Sequence, residues 1–103
     1  MNLFVLNLKN NKISKIEGLD NLTELEYLNL GNNQITVIKG LEKLGNLQRI
    51  YLGDNDITKI IGLSKLSNLE ALILDNNPIV EELDQELGIN ASIARVIQYS
   101  KKR

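Results

Sequence analysis

Residues 22–41 read LTELEYLNLGNNQITVIKGL, and the recurrence of this pattern along the chain decides the fold. Its leucines return every 22 residues at Leu22, Leu44 and Leu66. Other columns keep the same interval: Leu6, Leu28, Ile50 and Leu72; Asn11, Asn33, Asn55 and Asn77; Gly18, Gly40 and Gly62. Self-similarity at a fixed period of this length indicates a solenoid, in which each repeat is one unit stacked on the next.

Each unit contains one short strand. The segment Leu28-Asn29-Leu30 alternates apolar and polar residues, which is typical of a strand with one buried face. The strands recur once per repeat in the same direction, so they are expected to form a parallel ladder about 4.8 Å apart. A single coil cannot bury its own apolar face, and stacking therefore creates one continuous core. The pattern predicts an α/β repeat with about four parallel strands.

Two further columns are interpreted as scaffold. A side-chain amide at a turn can pair with backbone groups that an irregular coil leaves unsatisfied, so the asparagine column is predicted to bond along the solenoid. The glycine column predicts a tight return turn that needs a positive φ or a close backbone approach.

With four successive copies of the strand and asparagine motif, residues 3–83 resemble leucine-rich repeats of the 22-residue subclass. That subclass is typified by the nuclear regulator of the type-one protein phosphatase, and bacterial internalins are similar. The resemblance implies a curved leucine-rich-repeat solenoid with parallel strands on its concave face. It also implies a non-catalytic protein-protein interaction module that binds a protein partner on the concave face. The phosphatase is implied as a partner by this family resemblance alone.

Composition excludes most other functions. The chain has 12 Lys and Arg against 13 Asp and Glu, so its charge does not direct it toward nucleic acid or anionic lipid. It has no Cys and no His, which removes thiolate and imidazole catalysis and the usual zinc ligands. We therefore expect no enzyme, no cofactor and no metal site. Neither a membrane-spanning run nor a secretory signal is recognisable, and the predicted location is cytoplasmic.

The repeat ends near Pro78, where helical patterns begin. A stretch from Glu81 to Gly88 has early acids and a glycine stop, and a second starts at Asn90, a residue type that favours helix N-caps. We predict leucine-rich repeats over residues 1–83 and a helical cap over residues 84–103 of the same domain. The alternative function is nucleic-acid binding through this helix pair, whose apolar residues partly follow a helix-turn-helix pattern.

Strand residues between the inward leucines should point outward, because successive side chains alternate between faces. Three outward columns are expected: Val5, Tyr27, Arg49 and Ala71; Asn7, Asn29, Tyr51 and Ile73; and Lys9, Gly31, Gly53 and Asp75. Tyrosine and arginine are enriched at binding hot spots. The candidate partner-binding residues are Tyr27, Arg49, Tyr51 and Ile73.

The first strand forms an edge of the predicted ladder. Only Met1 and Asn2 precede Leu3, so no polar cap is recognisable in front of the first coil. Unprotected strand edges pair readily with other strands. Self-association through this edge is the expected consequence.

Overall fold

The computed structural model describes residues 3–88 and 91–101 and forms a coiled repeat closed by two helices. The strands and helices are β1 (Val5–Asn7), β2 (Tyr27–Asn29), β3 (Val37–Ile38), β4 (Arg49–Tyr51), β5 (Lys59–Ile60), β6 (Ala71–Ile73), α1 (Pro78–Leu87) and α2 (Ile93–Ser100).

The main sheet is parallel, with the strand order β1-β2-β4-β6. Its register pairs Leu28 with Leu6 on one side and with Ile50 on the other, and Ile50 pairs with Leu72. Strands that match at 22-residue intervals confirm the predicted ladder. A second parallel pair, β3 and β5, forms in the return segments of two neighbouring coils.

The core is one column of leucines and isoleucines. In the second and third coils the strand residues Leu28, Leu30, Ile50 and Leu52 are at most 1% exposed, and Ile38 in β3 is completely buried. The matching residues Leu6 and Leu8 of the first coil are only partly buried. Each coil therefore depends on its neighbours for the burial of its apolar face.

The asparagine column forms the predicted ladder. The Nδ2 group of Asn33 donates to the carbonyls of Leu30 (2.9 Å) and Gly31 (3.1 Å) in its own coil, and to Leu8 (3.1 Å) in the preceding coil. Its Oδ1 accepts the N–H of Ile13 at 3.0 Å. Asn55 and Asn77 repeat this pattern one and two coils further on. One side chain thus satisfies backbone groups in two coils.

A second column beside the ladder has left-handed backbone. Its members Asn10, Asn32, Asp54 and Asn76 have φ between 52° and 63°. Asparagine and aspartate tolerate this region better than other residues that carry a Cβ. Their side chains also bond along the solenoid, since Asn32 donates to Asn10 and Asn76 donates to Asp54, each at 2.8 Å. The chain can therefore turn sharply after each strand without glycine.

The predicted return-turn glycines also have positive φ, and Gly40 shows why glycine is needed. Its φ is +79°, and a Cβ placed there would lie 2.7 Å from the carbonyl oxygen of Ile16 in the preceding coil. Glycine at position 40 therefore allows the first and second coils to approach closely, as well as supplying the positive φ.

The helical cap is present, with starts that differ from the predicted ones. Helix α1 begins at Pro78 instead of Glu81, because proline is pre-organised for the first helical position. It ends at Gly88, as predicted, with φ 87°. Helix α2 is capped by Ser92, whose Oγ accepts the N–H of Arg95 at 3.3 Å. Asn90, the predicted cap, lies outside the described residues.

We predict that Asn33→Ala lowers the free energy of unfolding by about 1–3 kcal/mol, because it leaves buried backbone groups in two coils without partners. The matched control is Asn11→Ala. Asn11 is exposed, and its side chain bonds only to Leu8 and Lys9 of its own coil, so its loss should cost about 0.5 kcal/mol or less. Chemical denaturation measures both values, and equal losses would contradict a ladder that couples the coils.

Candidate functional site

The four predicted site residues lie on one face of the main sheet. Tyr27 of β2 pairs in register with Arg49 of β4, and Tyr51 of β4 pairs with Ile73 of β6. The sheet therefore brings the four together as two cross-strand pairs on three adjacent strands. Arg49 and Ile73 are exposed, and the two tyrosines are half-buried. We call these four residues the concave patch.

The first pair is in direct contact. The Cζ of Arg49 lies 6.0 Å from the centroid of the Tyr27 ring, at the outer limit of a cation–π interaction. The hydroxyl of Tyr27 donates to Oε1 of Gln48, in the neighbouring coil, at 3.4 Å. The patch therefore has a partly organised aromatic surface before any partner binds.

Arg49 is surrounded by groups that favour its charged form. Hydrogen bonding with Tyr51 raises the pKa of the guanidinium above its ordinary value, and charge interactions with Tyr51, Tyr27 and Glu70 raise it further. Like any arginine, Arg49 is positive at physiological pH, and its guanidinium can donate several hydrogen bonds to a partner. Arg49 is the one cation within the concave patch.

A fourth outward column was not predicted from the alternation of residues. One carbonyl accepts two successive N–H groups at each coil junction: Phe4 accepts from Glu26 and Tyr27, at 2.8 Å and 3.0 Å. The same arrangement recurs when the carbonyl of Glu26 accepts from Gln48 and Arg49. Strict alternation fails here, and residues 26 and 27 both lie outside the core. The sequence did contain a signal for this column, because two residues, Glu26 and Tyr27, separate the inward Leu25 from the inward Leu28.

This missed column adds acidic character to the face. It consists of Phe4, Glu26, Gln48 and Glu70. Gln48 bonds to Tyr27 and Glu70 acts on Arg49, so both belong to the surroundings of the concave patch. The large apolar side chains at the first strand, Phe4 and Val5, are 48% and 58% exposed.

The described residues were also compared with the requirements of a metal site, a membrane-spanning helix and a nucleic-acid contact. No group of three or more Asp or Glu side chains is placed to hold a metal ion there. None of the helices in residues 3–88 and 91–101 is long and apolar enough to cross a membrane. In the helix pair, Glu81, Glu82 and Glu86 of α1 are exposed, which is unfavourable for contact with a phosphate backbone.

Comparison with known proteins supports the repeat architecture. The family model for leucine-rich repeats matches residues 2–44 and again residues 45–87. Among solved structures, an internalin (inlF) from Listeria monocytogenes is similar, with a TM-score of 0.68 and 33% sequence identity. The match covers 86% of this chain and 27% of the internalin, so the chain spans about a quarter of that protein's length. No curated protein matches the chain.

The position of the tyrosines outside the core predicts that they contribute little to folding. Tyr27→Ala combined with Tyr51→Ala should lower the free energy of unfolding by about 1 kcal/mol or less. Leu28 follows Tyr27 in β2 and is completely buried, so Leu28→Ala should lower the free energy of unfolding by about 2–5 kcal/mol. Thermal and chemical denaturation provide the comparison. A tyrosine double variant as unstable as Leu28→Ala would mean that these rings belong to the core.

Proposed function

The chain belongs to the leucine-rich repeat family, and on that premise we propose that it is a non-catalytic protein-interaction module that binds a protein partner through the concave patch. The family membership and the internalin-like fold support protein interaction in general. The cross-strand cluster of Tyr27, Arg49, Tyr51 and Ile73 is the observation that supports this particular face.

The composition of the patch is suited to a protein surface. A tyrosine ring offers a large apolar area with a polar tip and few rotatable bonds to restrict. The patch spans about two inter-strand steps, roughly 10 Å, so one partner segment can contact both pairs at once. Ile73, with 37% of its surface exposed, adds apolar area beside Tyr51. The patch therefore has an apolar centre with a charged group within it.

Charge narrows the chemistry of the partner. Arg49 lies on β4, between β2 and β6. Glu26 immediately precedes β2 and Glu70 immediately precedes β6, so positive and negative charges lie close together on this face. A partner that places an aromatic or aliphatic side chain on the tyrosines and a hydrogen-bond acceptor over Arg49 fits this arrangement. A strongly acidic partner would be repelled by the two glutamates. We propose that specificity comes from one acceptor and its apolar neighbours.

The test is partner capture from lysate of the source organism, followed by binding measurements on the purified partner. The double variant Tyr27→Ala with Tyr51→Ala should weaken binding about tenfold or more, the equivalent of about 1.4 kcal/mol. The control is Lys12→Ala with Lys15→Ala, two exposed residues of the first coil outside the concave strands. Unchanged binding by the tyrosine variant, or weakening only in the control, would place the binding site on another face.

The remaining sequence predictions stay proposals. Residues 1–83 as repeats and 84–103 as cap remain the proposed division, and helix α1 crosses that boundary. The cytoplasmic location remains a prediction, as does the phosphatase as a partner. Nucleic-acid binding through the helix pair is the weaker alternative. It requires affinity that falls steeply with salt and depends on Arg95 and Lys101.

We also propose that the 103-residue chain self-associates through β1. Within the described residues β1 has a strand neighbour on one side only, and Phe4 and Val5 are the most exposed large apolar side chains. Val5→Lys should oppose association, because charged side chains protect strand edges. Sedimentation from micromolar to near-millimolar protein should show a concentration-dependent increase in mass that Val5→Lys reduces. A monomer over the whole range would contradict the proposal.

A further inference from the structure

A cavity of about 250 Å³ lies between the return turn of the third coil and the end of helix α2, away from the concave patch. Its lining includes Lys59, Ile61, Gly62 and Ser64 from the turn, and Ser100 and Lys101 from the helix end. Both lysines lack a carboxylate within 4 Å among the residues that the structure describes. The cavity therefore combines unpaired positive charge with small polar groups.

The second coil shows what this kind of turn can bind. There the N–H of Gly40 donates to Oε1 of Glu42 at 3.2 Å. The carboxylate of Glu42 reaches toward the third coil and contacts the position that a Cβ on Gly62 would occupy. A carboxylate thus fills the gap between the second and third coils, with its oxygen on the glycine amide. The return turn is a backbone site for a carboxylate, occupied here by the chain's own side chain.

The third coil has the same turn without a carboxylate of its own, and the Glu42 carboxylate of the second coil lies beside Gly62. Gly62 has φ +81°, close to the +79° of Gly40, so its amide is presented in the same way. The residue that replaces Glu42 at this position is Ser64, whose side chain is too short to return to the amide. The Gly62 N–H makes no hydrogen bond to any residue in the described part of the chain. The space left by the missing carboxylate is part of the cavity.

The corresponding turn of the first coil, at Gly18, lacks the features found at Gly62. Its equivalent acidic residue, Asp20, pairs with Lys43 at 3.8 Å, and no helix closes the space beside Gly18. Lys15, in the column of Lys59, therefore has no second lysine from a helix end opposite it. Within the described residues, only the third coil combines an unbonded glycine amide, two lysines and a cavity.

We propose that this cavity binds a carboxylate group supplied from outside the chain. Gly62 N–H and the Ser64 hydroxyl donate hydrogen bonds to it, and Lys59 and Lys101 provide the charge. The hydroxyl of Ser100 already donates to the carbonyl of Ile97 at 2.7 Å, so it does not donate to the ligand. Lys101 also offsets the partial negative charge at the carboxyl end of α2.

The source of the carboxylate is either an acidic side chain of a partner protein or a small free acid. Both present the same planar pair of oxygens to the glycine amide. A peptide adds further charges that Lys59 and Lys101 can contact, so it should bind more tightly than a free dicarboxylate. This site is independent of the concave patch, and the failure of one would leave the other intact.

The test is a titration of ¹⁵N-labelled protein, at constant ionic strength, with capped tetraglutamate in one arm and glutarate in the other. The Gly62 amide resonance should shift and saturate, while the Gly18 amide serves as an internal control from the same turn of the first coil. Saturation with tetraglutamate at lower concentration than glutarate identifies a peptide ligand. Equal affinity identifies a small free acid, and either result supports the site.

Four variants test which residues form the site. Lys59→Gln and Lys101→Gln should each weaken binding by about two- to fivefold, as expected of an exposed ion pair. Lys15→Gln, in the column of Lys59 but without the cavity, should leave the affinity unchanged. Ser64→Glu should abolish the titration shift of Gly62, because it supplies a carboxylate from within the chain.

The Ser64→Glu variant tests the site only if its unfolding midpoint matches that of the unsubstituted protein. If that variant does not fold, the comparison of Lys59→Gln with Lys15→Gln decides. The proposal is overturned if Gly62 does not shift, if Gly18 shifts equally, or if Lys15→Gln weakens binding as much as Lys59→Gln.

Discussion

The amide of the buried ladder asparagine is the interaction on which the other features of this solenoid depend. A coil with a three-residue strand cannot pair its turn backbone by regular sheet bonding, and unpaired buried backbone groups are costly. The amide of Asn33 donates to carbonyls in two coils and accepts an N–H from the earlier one. Repeated at Asn55 and Asn77, this arrangement holds the coils at a constant spacing and register.

Constant register is what gives the concave face its chemistry. Residues 22 positions apart become lateral neighbours, so a single tyrosine at position 27 lies beside the arginine at position 49. Because the scaffold demands only the inward leucines, the turn asparagines and the return-turn glycines, the outward positions are free to vary. The fold can therefore present different binding surfaces on the same frame, which is why family membership indicates interaction without naming a partner.

The same logic applies to the back of the molecule. The return turn presents a glycine amide once per coil, and the residue two positions later determines whether a carboxylate from the chain occupies it. Glu42 and Ser64 occupy the same place in the repeat with opposite consequences. Differences between repeats thus carry as much functional information as their similarities, because the shared frame makes positions directly comparable.

Some features of the site were not predictable from alternation of apolar and polar residues. The double acceptance by the carbonyls of Phe4, Glu26 and Gln48 places one further residue of each following coil outside the core, and it brings Gln48 and Glu70 into the surroundings of the patch. The N-cap of the first helix is another case. Asn77 precedes α1, but its side chain is committed to the ladder and makes no capping bond. Both the extra outward residues and the absence of a capping bond at α1 result from hydrogen bonds to a neighbouring coil, which the local sequence does not reveal.

The amino-acid sequence by itself determined the period, the parallel order of the strands, the inward and outward columns and the presence of a helical cap. It did so because a 22-residue repeat converts spacing along the chain into spacing across the sheet. Only the tertiary structure decided which outward side chains touch, where the return strands pair, and where α2 leaves a cavity beside Gly62. Those outcomes depend on the distance between coils and on how the non-repeated C-terminal helices pack against the repeats. The 22-residue period determines neither of them.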